Sequence, residues 1–200
     1  SYRQLANSGY EQSQATHSDR FNYNGAYGVS AYSKGAVFVA QLGYLIGDKA
    51  LKKTLKRYYN EFKFKHPTPN DFKRIAEKVS DLELEWYLND WTRTTNTIDY
   101  SIECVEGEVS LKRIGLIPMP LEIQVMYVSG EVKNYYIPID LMRGNKKDIE
   151  KSASVLPVWG WANPDYFFNV DASKKIKSVS IDPSGLLADV NLSNNSKVFE

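Results

Sequence analysis

Near residue 96 the hydrophobic pattern of this chain changes period. Before that point apolar residues recur every three or four positions, the spacing of one face of an α-helix. After it they alternate one by one, the spacing of a half-buried strand. A chain that switches period once sorts its helices and strands into separate layers. The expected fold is therefore α+β and multidomain: a helical part over 1–96, then an antiparallel β-sandwich over 97–200, joined near Thr94-Thr95-Asn96-Thr97.

Residues 1–29 are polar and contain Asn22, Asn24, Gly25 and Gly28, which reads as an irregular lead-in. A first helix is expected from about Ser30, its N-cap, to Ile46, with Phe38, Leu42 and Leu45 on one face and Gly47 as the stop. Asp48 then caps a second helix with the stripe Leu51, Leu55, Tyr58, Tyr59 and Phe62 and lysines opposite. Thr68-Pro69-Asn70-Asp71 has the order of a capping box with proline at the first helical position, and Phe72, Ile75, Ala76 and Val79 follow. Ser80-Asp81-Leu82-Glu83 repeats that logic ahead of Leu84, Tyr87, Leu88 and Trp91.

Beyond Ile98 the alternation of Leu121, Ile123, Val125 and Tyr127 is broken at Ser129-Gly130 and resumes at Tyr135, Ile137 and Ile139, a hairpin signal. With the runs Tyr166–Val170 and Ile176–Ile181, about seven short strands are expected. The charged cluster Lys146, Lys147, Asp148, Glu150 and Lys151 reads as a solvated loop, and Asn191–Glu200 as a frayed tail.

Several function classes drop out. The formal net charge is +1, which argues against nucleic acid or an anionic membrane as partner, and no apolar run approaches the roughly 18 residues of a membrane span. The lone Cys104 sits in an alternating apolar run and reads as a buried, inert thiol. There is no Gly-x-Ser-x-Gly elbow and no phosphate-binding glycine loop. There is no His-Glu-x-x-His either. His17 and His66 are 49 positions apart and read as turn residues, so no metal ligand is expected in this chain.

Tyr32 gains interest from its neighbours. The stretch Tyr27-Gly28-Val29-Ser30-Ala31-Tyr32-Ser33-Lys34-Gly35-Ala36 resembles the segment of the M1 family of zinc aminopeptidases in which two tyrosines lie five apart and the second opens Tyr-x-Lys-Gly. Leu45-Ile46-Gly47, Leu55, Tyr58-Tyr59, Phe62 to Thr68 and Asp71-Phe72 continue the resemblance over about 20–95. From 97 to 190 the chain is similar, more weakly, to the β-sandwich that follows the catalytic domain in many M1 enzymes.

The resemblance implies a gluzincin-like catalytic domain whose C-terminal portion is residues 1–96. The parent protein is expected to be a zinc-dependent hydrolase acting on peptide substrates. Its zinc-binding portion lies upstream in the same polypeptide, and this fragment alone is expected to bind no zinc and to be inactive. The polar start at Ser1 fits an excised part of a longer chain. Tyr32 matches the family tyrosine that donates a hydrogen bond to the oxygen of the tetrahedral intermediate. The chemistry is reasonable, because a phenol, with a pKa near 10, is neutral at pH 7 and donates toward developing negative charge. Tyr27 is a candidate for lining the cleft, Lys34 for a structural role, and Gly35 for close helix packing. The competing reading is a non-catalytic peptide- or glycan-binding scaffold that uses Trp159, Trp161 and Tyr166. The compartment is left open.

Overall fold

The computed structural model describes residues 1–199, which form two compact units. One holds Ser1–Asn96 together with Leu141–Asp148; the other holds Thr97–Asp140 and the chain from Ile149 on. The first is helical and the second is built of sheets, so the chain is α+β. The +1 net charge is a cancellation. The helical unit carries 17 Lys/Arg against 11 Asp/Glu, hence +6; the sheet unit carries 8 against 13, hence −5.

The helical unit begins with α1 (Tyr2–Ala6), so the lead-in is not irregular throughout. Tyr2 and Leu5 are buried, and the Tyr2 ring packs 5.4 Å from that of Trp91. A 3-10 turn follows at Ser18–Arg20, where His17 Nδ1 accepts from the Asp19 amide at 3.3 Å. Next come α2 (Asn24–Gly28), a π-helical turn (Val29–Lys34) and α3 (Gly35–Ile46), which follow one another without a break. The continuous helical run that leads into α3 therefore starts at Asn24, six residues before the expected position. Ser30 is not an N-cap but a buried residue of the π turn, and Tyr23 takes the cap position.

Gly47 ends α3 with φ +87°, a conformation that disfavours any side chain. Asp48 is the first residue of α4 (Asp48–Phe62) rather than its cap; there its carboxylate faces the positive end of the helix dipole. Within the expected α4 stripe Leu55 and Tyr59 are exposed, while Leu51, Tyr58 and Phe62 are half-buried. α5 (Pro69–Ser80) starts as read: the Asp71 carboxylate accepts from the Thr68 amide at 2.9 Å and from its hydroxyl at 2.8 Å. Ser80 ends α5 instead of capping the next helix, its hydroxyl turning back to the Ala76 carbonyl at 2.7 Å. α6 (Glu85–Arg93) buries Tyr87, Leu88 and Trp91, and Leu84 is buried at its N-cap. Part of the charged loop docks on this unit. Met142 is fully buried and its carbonyl accepts from the Glu83 amide, Lys146 Nζ lies 4.9 Å from the Tyr44 ring centre, and Lys147 pairs with Asp81 at 3.0 Å.

Among the described residues the sheet unit has eight strands: β1 (Tyr100–Val105), β2 (Glu108–Arg113), β3 (Leu121–Tyr127), β4 (Val132–Ile137), β5 (Ser154–Val155), β6 (Asp165–Asn169), β7 (Ile176–Ile181) and β8 (Ser196–Val198). They form a three-stranded sheet, β1-β2-β6, and a five-stranded sheet, β5-β4-β3-β7-β8. β1 lies against β7 and β8, and the alternating residues Ile102, Cys104, Leu111, Ile123, Val125 and Val179 are buried. The β3–β4 hairpin turns at Gly130 as its sequence indicates. The expectation of purely antiparallel pairing needs one correction: β5 runs parallel to β4 through Tyr135–Ser154 and Tyr136–Val155. The tail is not frayed through residue 199, since β8 pairs with β7; Glu200 lies outside the described residues. Two buried polar groups tie the unit together. The Tyr100 hydroxyl accepts from the Met119 amide at 2.7 Å, and the Asp189 carboxylate accepts from the amides of Tyr100 at 2.9 Å and Asn191 at 2.8 Å.

Candidate functional site

Tyr32 occupies the middle of the π turn. Such turns carry an i→i+5 pattern, are rare, and concentrate where a helix has to re-aim a side chain. In an unbroken α-helix positions 27 and 32 would be about 140° apart around the axis. A wider π turn has more residues per turn and reduces that offset. Tyr32 is 80% exposed, and its hydroxyl makes no hydrogen bond within the described residues. Tyr27 is 40% exposed and is held from the side by the edge of Phe21, ring centres 5.4 Å apart.

The other side of the turn is anchored. Lys34 is completely buried; its Nζ lies 2.7 Å from Glu11 Oε1, 3.4 Å from the Thr94 carbonyl and 5.9 Å from the centre of the Trp91 ring. Lysine usually reaches for solvent; here a carboxylate that is itself only 4% exposed answers its charge. Lys34 thus lies in the interior, neither in solvent nor in an open cleft. Gln14 donates from Nε2 to the Ser30 carbonyl at 2.8 Å. A Cβ added at Gly35 would meet only Gln14 Nε2, at 3.6 Å, so Gly35 is not tightly packed among the described residues. Glu11 and Gln14 escaped the sequence reading, which treated the whole lead-in as irregular. Their only signal is a lone acid and amide in a polar stretch, with partners 23 and 16 positions away.

α3 carries no charged residue, yet Ala31, Tyr32, Ala36 and Ala40 are exposed along the helix, which leaves an apolar, small-residue face open. A pocket of about 570 Å³, which neither Tyr27 nor Tyr32 lines, lies between the 13–16 loop, Phe38, Phe72 and Leu88. The aromatics of the competing scaffold reading do not form one open face. Trp159 is buried against Tyr100 and Tyr166, the Tyr166 hydroxyl donates to the Pro157 carbonyl at 2.7 Å, and only Trp161 is well exposed.

Residues 4–91 match the family described as the peptidase family M1 domain. Over this segment the chain is similar to peptidase family M1. The match takes in the end of α1, the lead-in with Glu11 and Gln14, the π turn with Tyr32, and the helices down to Trp91. The match supports reading this segment as part of a peptidase-family protein. No curated protein matches it. Similarity to M1 would imply zinc in the parent protein, but the described residues do not fit a zinc centre. Among the described residues no three His, Cys, Asp or Glu side chains come together as ligands, His17 caps a turn, and His66 is exposed. The Cys104 thiol is buried, and burial pushes its pKa up, which disfavours a thiolate. Among the described residues no helix is long and apolar enough to cross a membrane.

Proposed function

We propose that this chain is the part of an M1-type aminopeptidase that supplies the electrophilic hydrogen bond, with Tyr32 as the donor, in the removal of N-terminal residues from peptides. The observation that carries the reading is an exposed phenol without a partner, on an anchored π turn, inside the segment that matches the M1 family. When water attacks the scissile carbonyl, its oxygen gains negative charge. A fixed O–H donor then binds the transition state more strongly than the substrate. Rigidity is essential to that effect, since a donor that reorganises during the reaction gives back much of the gain. Tyr27, on the neighbouring turn, lines the same cleft and offers its ring to the substrate.

On this reading the metal and the general base come from a part of the parent protein outside these 200 residues. The open small-residue face of α3 is suited to close packing by such a part. The 200-residue chain by itself is then inactive and binds no zinc.

The test is zinc content and aminoacyl-anilide hydrolysis of a longer chain that carries the zinc-binding part, with and without Tyr32→Phe. The reading expects one zinc in both proteins and a loss of about 10²–10³ in kcat in the variant. A variant that keeps both zinc and rate removes Tyr32 from catalysis. A longer chain with neither zinc nor activity removes the enzyme reading in favour of a scaffold.

A further inference from the structure

Two residues of the lead-in grip two residues of the π turn. Glu11 pairs with Lys34 at 2.7 Å, and Gln14 donates to the Ser30 carbonyl at 2.8 Å. The gripped positions flank Tyr32 on both sides in sequence. The lead-in is itself fastened to the end of α6, because the Ser13 hydroxyl and the Ala15 amide both donate to the Thr92 carbonyl at 2.8 Å. The turn is thus tied, through 11–15, to a helix that is remote from it in sequence.

Two physical points give this arrangement a purpose. A π turn is less favourable than continuous α-helix and persists where its surroundings over-determine it. A buried ion pair, moreover, adds little net stability over an apolar pair of the same volume, and it offsets its desolvation only when its geometry is good. Both features suit a device that fixes a shape more than one that adds stability.

We propose that Glu11 and Gln14 are positioning residues: they hold 29–34 in its π form and so fix the direction in which Tyr32 presents its hydroxyl. The catalytic half of this inference rests on the proposed role of Tyr32; the conformational half does not.

The experiment reads the two halves separately. Amide hydrogen exchange is followed residue by residue in the 200-residue chain, in Gln14→Ala and in the double variant Glu11→Gln/Lys34→Met. The double variant removes both charges together and leaves neither stranded. Gln14→Ala leaves the ion pair intact and covers the case in which the double variant does not fold. The expected result is exchange about tenfold or more faster over residues 30–36, with α4 and α5 unchanged. Unchanged exchange over 30–36, or uniform acceleration through the whole helical unit, overturns the proposal. The same Gln14→Ala change is then made in the longer, zinc-loaded enzyme, where positioning predicts a lower kcat at nearly constant KM and constant zinc. Faster exchange combined with a silent Tyr32→Phe removes the catalytic role and leaves the clamp. An impaired Tyr32→Phe combined with a Gln14→Ala that alters neither exchange nor kcat removes the clamp and leaves the catalytic role.

Discussion

Lys34 Nζ and Glu11 Oε1 lie 2.7 Å apart with the lysine fully buried and the glutamate side chain 4% exposed. Because each is the other's charge partner in the interior, a single truncation and a paired one should behave differently. Lys34→Met strands a buried carboxylate and is expected to cost about 3–5 kcal/mol. Adding Glu11→Gln removes the stranded charge and should recover most of that loss. Urea unfolding of the two singles and the double gives the coupling directly. Additive single effects would show that the pair does not act as a unit.

A second prediction concerns pH. Asp189 is buried, and burial pushes its pKa up from 3.8 to about 6, against the amides of Asn191 and Tyr100, which favour the ionised form. Well below the ordinary value of 3.8 the carboxyl is neutral whether the chain is folded or not. Between about pH 4 and 6 the unfolded chain releases the proton while the folded chain retains it. The folded state then binds more protons, so this group's contribution to stability falls as pH rises. The fall amounts to about 3 kcal/mol and levels off above the folded pKa. Denaturation midpoints of the chain and of Asp189→Asn, compared at several pH values from 4 to 7, isolate the contribution of this carboxyl. The difference should decline across the window; a flat or rising difference contradicts the assignment.

Gly115 offers a test of the sheet unit. A Cβ at this position would lie 2.3 Å from the Thr97 carbonyl oxygen and 2.6 Å from the Asp99 nitrogen, both backbone atoms that no side-chain rotation can clear. The segment is held there by the Gly115 and Ile114 amides donating to the Asp99 carbonyl and by the Ile117 amide donating to the Thr97 carbonyl. Gly115→Ala should therefore destabilise by about 1–3 kcal/mol or more. Gly130→Ala is the contrast in space, since nothing lies within 4 Å of its Cβ, although its φ of +88° still strains any side chain. Thermal midpoints of the two variants separate steric overlap from backbone strain.

Much of the architecture was readable because it rests on local signals. Gly47 ends α3, Thr68 and Asp71 start α5, and Gly130 turns the β3–β4 hairpin; each depends on residues within a few positions of one another. What escaped depends on partners far along the chain. The π turn leaves no trace in an apolar period of three or four, because its extra residue is absorbed where Ser30 and Lys34 turn inward together. The Glu11–Lys34 pair spans 23 positions, and the docking of Met142 beside Glu83 spans 59, so neither has a local signature. At the candidate site the sequence singled out Tyr32, Tyr27 and Lys34, but not the lead-in residues that grip the turn.

The most direct measurement of the central claim compares two inhibitors of the longer, zinc-loaded enzyme and its Tyr32→Phe variant. One is a phosphinic peptide, whose tetrahedral centre carries an oxyanion; the other is a substrate-like peptide with an unreactive amide. A donor that acts on the developing oxyanion strengthens binding of the first far more than of the second. The account predicts that Tyr32→Phe weakens the phosphinic peptide by about 10²-fold or more, in step with the loss in kcat/KM, and leaves the amide within a few-fold. Equal weakening of both inhibitors, or of neither, would contradict it.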